Sequence, residues 1–203
     1  MRLPPLLVFL AASWTWAVPY LPQVAARIPA SGCRIRLEWN IAPGGSIAPP
    51  RTAKGTLEVA EGDRFHFRSP ELEVASDGTT MRQWNGSTNQ VLLRSVAQVP
   101  VADLPSSLLR AALSGSETAS STEKFEGTPA LKLALSVAQP PLSKYVRATL
   151  WARESDRTPL RLELEDAEGG LVVWKLTSIQ PWKPVAKDLE LAAHKGAEVV
   201  DMR

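Results

Sequence analysis

"RFHFRSPELEVASDGTTMRQWNGSTNQVLL", residues 64–93, alternates apolar and polar side chains and is broken at short intervals by turn residues. Alternation with a period of two is the signature of a strand with one dry and one wet face. The breaks fall at Ser69-Pro70, Asp77-Gly78 and Asn85-Gly86. Asp-Gly and Asn-Gly favour tight hairpins, because glycine adopts the positive φ that such turns need. The stretch therefore reads as an antiparallel meander, with strands at 63–68, 71–76, 79–84 and 89–96.

Working outward, the same alternation predicts strands at 34–39 and 54–60 upstream and at 130–137, 145–153, 159–166, 171–179 and 187–193 downstream, about eleven in all. Residues 40–51, dense in proline and glycine, read as a surface loop. Two segments switch to helical spacing. Leu21, Val24, Ala25 and Ile28 share one face of a short helix between Pro19 and Pro29, and Leu104, Leu108, Ala111 and Ala112 mark another over 104–113, with Asp103 placed to cap it and Gly115 to end it. Residues 116–129 are polar and read as a mobile connection.

Strand phase puts Leu57, Val59, Phe65, Phe67, Leu72, Val74, Leu131, Leu133, Leu135, Leu160, Leu162 and Leu164 on one face, and Glu58, Arg64, His66, Arg68, Glu71, Glu73, Lys132, Arg161, Glu163 and Glu165 on the other. A sheet dry on one side must bury that side. Two short helices are little cover for so many strands. A strongly curled sheet with those helices across its mouth would leave an apolar cavity able to take a greasy ligand. An ordinary core filled by the protein's own side chains satisfies the pattern too, and on pattern alone is the simpler reading.

The chain has 203 residues, with 23 basic against 21 acidic side chains and a formal charge of +2. So even a balance leaves no electrostatic footprint for nucleic acid. "MRLPPLLVFLAASWTWA", residues 1–17, reads as a secretory signal peptide with cleavage after Ala17, its apolar run being too short to span a bilayer. Cys33 is the one cysteine, so there is no internal disulfide, no metal site is indicated, and a buried thiol is expected. His66 and His194 are the only imidazoles. His66 alternates with Phe65 and Phe67 and is expected to face solvent, as is His194 in a turn. There is no nucleophile elbow and no phosphate loop, so no catalytic residue and no cofactor are assigned.

Three strings carry a resemblance: "GTLEVAEGDRFHFRSP" (55–70), "EVASDGTTMRQW" (73–84) and "DLELAAHKGAEVVDMR" (188–203). Together with the order of elements over residues 18–203, they resemble the periplasmic lipoprotein carrier family, LolA, with its relatives LolB and the sensor RseB. The resemblance implies an all-β fold: a highly curved antiparallel sheet, an incomplete barrel, covered by a helical lid over an apolar cavity that receives acyl chains. It implies a cavity and lid lined by Leu57, Val59, Phe65, Phe67, Leu72, Val74, Trp84, Leu104, Leu108, Leu133, Leu135 and Leu162. It also implies a monomeric, non-enzymatic protein of the periplasm whose cargo is acylated lipoproteins or another lipid-like ligand. An inner-membrane releasing complex and an outer-membrane acceptor would be its partners. Two features depart from the family: Glu61 stands where the carrier has a lid-holding arginine, and His194-Lys195 replaces the usual proline before Gly196. Other readings are an RseB-like lipid or lipoprotein sensor, an envelope hydrolase using Cys33 or a histidine, and a structural envelope module with a filled core.

Overall fold

The computed structural model describes residues 19–29, 31–42, 50–100 and 104–203; the proposed signal segment, Asp103 and most of the 40–51 loop lie outside them. Twelve strands form one open, curled sheet: β1 (Cys33–Ala42), β2 (Arg51–Val59), β3 (Arg64–Arg68), β4 (Leu72–Asp77), β5 (Thr80–Asn85), β6 (Gln90–Ser95), β7 (Glu117–Phe125), β8 (Thr128–Leu135), β9 (Tyr145–Arg153), β10 (Pro159–Asp166), β11 (Leu171–Pro181) and β12 (Glu198–Asp201). Helices α1 (Leu21–Ala25) and α2 (Pro105–Ser114) cover its inner face.

The order across the sheet is β12-β6-β5-β4-β3-β2-β1-β11-β10-β9-β8-β7. Two meanders are thus joined where β1 pairs with β11, and β12 adds in parallel beside β6. Register makes the inner face continuous. One row runs Ile35, Leu57, Phe67, Val74, Gln83 and Leu92, and another runs Leu133, Leu150, Leu162, Trp174 and Trp39. Directly opposed side chains share a face, so each row is a ladder of cross-strand contacts. One cluster joins them to Leu21 and Val24 of α1 and to Leu108, Leu109 and Ala112 of α2. Gly55 lets the strands close up at this point. A Cβ there would lie 2.8 Å from the Phe67 ring and 2.4 Å from the Arg68 carbonyl oxygen, a close approach that only glycine permits.

Three expectations are corrected. The segment 116–129 contains an edge strand, β7; it is exposed on both faces, so burial imposed no alternation on its Ser and Thr residues. Residues 187–193 are not a strand. They begin within a 3-10 turn (Ala186–Leu189) and form a strap across the outer face, where Leu189 is buried with Trp182 and Ala60. The first helix ends at Ala25, and Ile28 follows in a turn.

Candidate ligand-binding groove

Helix α2 begins with Pro105 at its first turn, where a missing N–H is harmless. It buries Leu104, Leu108, Leu109 and Ala112. The N-terminus of α1 is held from another element: Oε2 of Glu117, on β7, accepts the backbone N–H groups of Tyr20 at 2.7 Å and Leu21 at 3.0 Å. An acceptor carboxylate at a helix start satisfies donors that would otherwise be unpaired.

Between these helices and the β2–β3 turn lies a groove of about 740 Å³. Leu21, Ala25 and Ile28 line one side, Leu109 and Leu113 the other, with Cys33 and Val59 from the sheet and Glu61 and Arg110 the charged groups at its border. Cys33 is 1% exposed. Burial pushes its thiol up to about 11, against a smaller opposing effect of the Arg110 charge, so it is a protonated, unreactive group at neutral pH.

Helix α2 is latched to the β2–β3 turn. The Arg110 guanidinium donates to the Ala60 carbonyl at 2.6 Å and to that of Gly62, and the Ser107 hydroxyl donates to Asp63 Oδ1 at 3.0 Å. Gly62 turns the chain at φ +71° to present its carbonyl. Arg110 thus ties α2 to the turn that holds Glu61. Under the same helix, the Ser106 hydroxyl is fully buried with no hydrogen-bond partner among the described residues. An unmet buried hydroxyl costs about 1–3 kcal/mol.

A smaller cleft of about 310 Å³ opens at the other end of α2, beside Pro105. Its wall includes Trp39 and Phe67, whose rings lie 4.5 Å apart, with Leu72, Val74 and Met81. Gln83 and Arg94 are its polar members.

The residues expected from strand phase divide among these places. Val59 lines the groove, and Phe67, Leu72 and Val74 line the cleft. Leu57, Phe65, Leu104, Leu108, Leu133, Leu135 and Leu162 are buried in the core beneath and beside the helices. Trp84 is placed on the opposite face, because it pairs with Glu73 across β4 and β5, and its ring stacks on His194 at 3.8 Å. Leu109, Arg110 and Leu113 were missed. Leu109 and Leu113 lie one position beyond the face chosen for α2, while Arg110 gave no apolar signal.

Neither histidine faces open solvent. His66 is 2% exposed and Glu73 5%. Phase put both on the outer face, as observed, but the strap covers that face. His66 Nδ1 lies 2.6 Å from the Asp188 carbonyl oxygen and Nε2 2.7 Å from Glu73 Oε1. Glu73 also accepts the Ala192 N–H at 3.1 Å, and its other oxygen lies 2.7 Å from His194 Nε2. A carbonyl can only accept, so Nδ1 of His66 donates to Asp188, which leaves Nε2 turned to the Glu73 carboxylate. Burial pushes the Glu73 carboxyl up, but the hydrogen bonds from Ala192, His66 and His194 outweigh it and hold it below its ordinary range. Nearby, Glu58, 1% exposed, is paired by Arg34 at 2.6 Å and by Arg68. Cys33 shares the inner phase of Ile35 and Leu37, whereas both histidines are bound to Glu73 on the outer side. No thiol–imidazole pair is assembled.

No family model and no curated protein matches this chain. Solved structures do. An uncharacterized conserved protein from Thermus thermophilus matches with a TM-score of 0.55 at 13% identity over 90% of this chain and 96% of that one. The likeness is one of fold. A LolA superfamily protein from Nitrosomonas europaea is similar at TM-score 0.44 and 12% identity, covering 85% of this chain and 96% of that one. The MucA/MucB complex of Pseudomonas aeruginosa gives TM-score 0.47 and 19% identity over 86% of this chain, which spans 60% of that one. A protein of the superfamily that the three strings resemble is thus among the solved structures similar to this chain. No helix among the described residues is long and apolar enough to cross a membrane.

Proposed function

We propose that this protein is an exported, periplasmic, non-enzymatic carrier that binds the acyl chains of lipoproteins, or a related amphiphile, in the groove between α1 and α2, and moves them toward the outer membrane. The observation that carries the reading is the groove itself. Its volume of about 740 Å³ falls within the roughly 300–1,000 Å³ of ligand sites, and its two sides are apolar side chains from the α1 and α2 segments, set over Cys33 and Val59 of the sheet.

Energetics support a lid that yields. Burying a CH₂ contributes about 0.8 kcal/mol, so about ten methylenes supply roughly 8 kcal/mol. The latch opposing them is one arginine and one serine, at about 1–3 kcal/mol for a bond to a charged group and less for a neutral one. Acyl burial outweighs that latch, and an apolar groove asks little else of its cargo. The pattern of residues 1–17 supports cleavage after Ala17, and the resemblance supplies the remainder: an inner-membrane complex that loads the protein, an outer-membrane acceptor that unloads it, and a monomeric state in between.

The test is displacement of a hydrophobic fluorescent probe from the purified protein by a diacylated lipopeptide, alongside the same peptide without acyl chains. Displacement by the acylated peptide alone is expected. A folded protein that takes up no probe would contradict the carrier reading.

A further inference from the structure

Register places Arg94 on the dry face. It pairs with Met81, in the row Val59, Phe65, Ser76, Met81 and Arg94. Several arginines elsewhere on the sheet have carboxylates: Arg34 and Arg68 on Glu58, Arg82 on Asp77, Arg147 on Glu165 and Arg161 on Glu163, while Arg36 and Arg64, which have none among the described residues, are exposed. Arg94 has none among the described residues, and its Nε is buried without a hydrogen-bond partner. Among the described residues no acidic side chain lines the cleft it borders, and the only other polar side chain there is the Gln83 amide. A guanidinium half-withdrawn from water beside aromatic and aliphatic walls, with no carboxylate partner among the described residues, is a costly arrangement that an incoming anion would relieve.

We propose that this cleft is a second binding site, for the anionic head of a single-chain amphiphile, with Arg94 pairing its carboxylate or phosphate and Trp39, Phe67, Val74 and Met81 holding the start of its chain. The planar guanidinium matches either oxyanion through two parallel hydrogen bonds. At about 310 Å³ the cleft stands at the lower end of ligand-site volumes, enough for a head and part of one chain. The inference rests on the amphiphile-binding reading above and adds to it a preference by charge.

The test is calorimetric titration of the purified protein with laurate, lauryl phosphate, lauryl alcohol and inorganic phosphate at about 0.15 M salt, where surface charges are largely screened. Laurate and lauryl phosphate are expected to bind about tenfold more tightly than the alcohol, and inorganic phosphate far more weakly. In Arg94→Gln the preference should vanish while the alcohol's affinity stays unchanged; Arg94→Lys should retain part of it. Equal binding of acid and alcohol to the wild type, or a preference that survives Arg94→Gln, would overturn the inference and leave the carrier reading standing. Inorganic phosphate binding as tightly as lauryl phosphate would make this a free-anion site and overturn the amphiphile assignment. Binding of none of the chain-bearing ligands would overturn both readings.

Discussion

The two faces of the sheet are covered in opposite ways. On the inner face, α1 and α2 rest on apolar contacts, with the Glu117 carboxylate at the start of α1, a latch of one arginine and one serine on α2, and an unmet hydroxyl, Ser106, beneath α2. On the outer face, the strap around Ala186–Leu189 is fixed by a buried carboxylate whose oxygens meet His66, His194 and the Ala192 N–H. Apolar contacts are non-directional and can be exchanged for those of a ligand, whereas a satisfied buried polar cluster has one arrangement and is costly to break. On the proposed carrier reading the contrast teaches which cover is built to move: the helices would exchange their contacts for those of cargo, while the strap is structural.

The largest effect should come from breaking the fixed side. Glu73→Ala leaves two histidines and a backbone N–H without their acceptor, and removing one partner of a buried pair costs about 3–5 kcal/mol. Denaturant unfolding should show that loss, and hydrogen exchange should show the amides of the strap becoming unprotected. A loss below about 1 kcal/mol would mean that the strap is held by Leu189 and Trp182 alone.

Acid should act on the same cluster. The Glu73 carboxyl is held below its ordinary value of 4.5, so on acidification the unfolded chain takes up that proton first. Its contribution is complete above 4.5 and is lost as pH falls through the lowered value. The stability gap between wild type and Glu73→Gln should shrink as pH falls below about 4.5. A gap that widens toward acid would reverse the assigned sign.

Smaller effects of opposite sign are expected on the movable side, read through Cys33, which is buried in the groove wall. Arg110→Ala removes the bonds to Ala60 and Gly62 and should raise the rate of thiol labelling about tenfold, the equivalent of about 1.4 kcal/mol in opening. Ser106→Ala removes the unmet hydroxyl and should slow labelling several-fold. Equal labelling in all three proteins would show that α2 does not gate the groove.

Much of this architecture is legible in the sequence, because period two and hairpin glycines are local signals. The meander from β3 to β6, with turns after Asp77 and Asn85, is where the alternation put it. What escaped was set by distant partners. β7 reads as a loop because nothing covers it, and residues 187–193 alternate like a strand although their leucine is spent on a small outer cluster. His66 and Glu73 have the phase of surface residues and are buried only because the chain returns over them more than a hundred residues later. In the groove, Leu21, Ile28 and Val59 could be named in advance as apolar positions, while Arg110 and Arg94 carry no periodic signal and acquire meaning only from the turn and the cleft they meet.

The most direct test of the central claim is photo-crosslinking of a diacylated lipopeptide bearing a diazirine near the end of one acyl chain, followed by mapping of the labelled residues. Labelling concentrated in Leu21–Ile28 and Leu109–Leu113, and suppressed by excess unlabelled lipopeptide, is the predicted result. Labelling confined to the strap, or spread over the surface without competition, would contradict a groove that receives acyl chains.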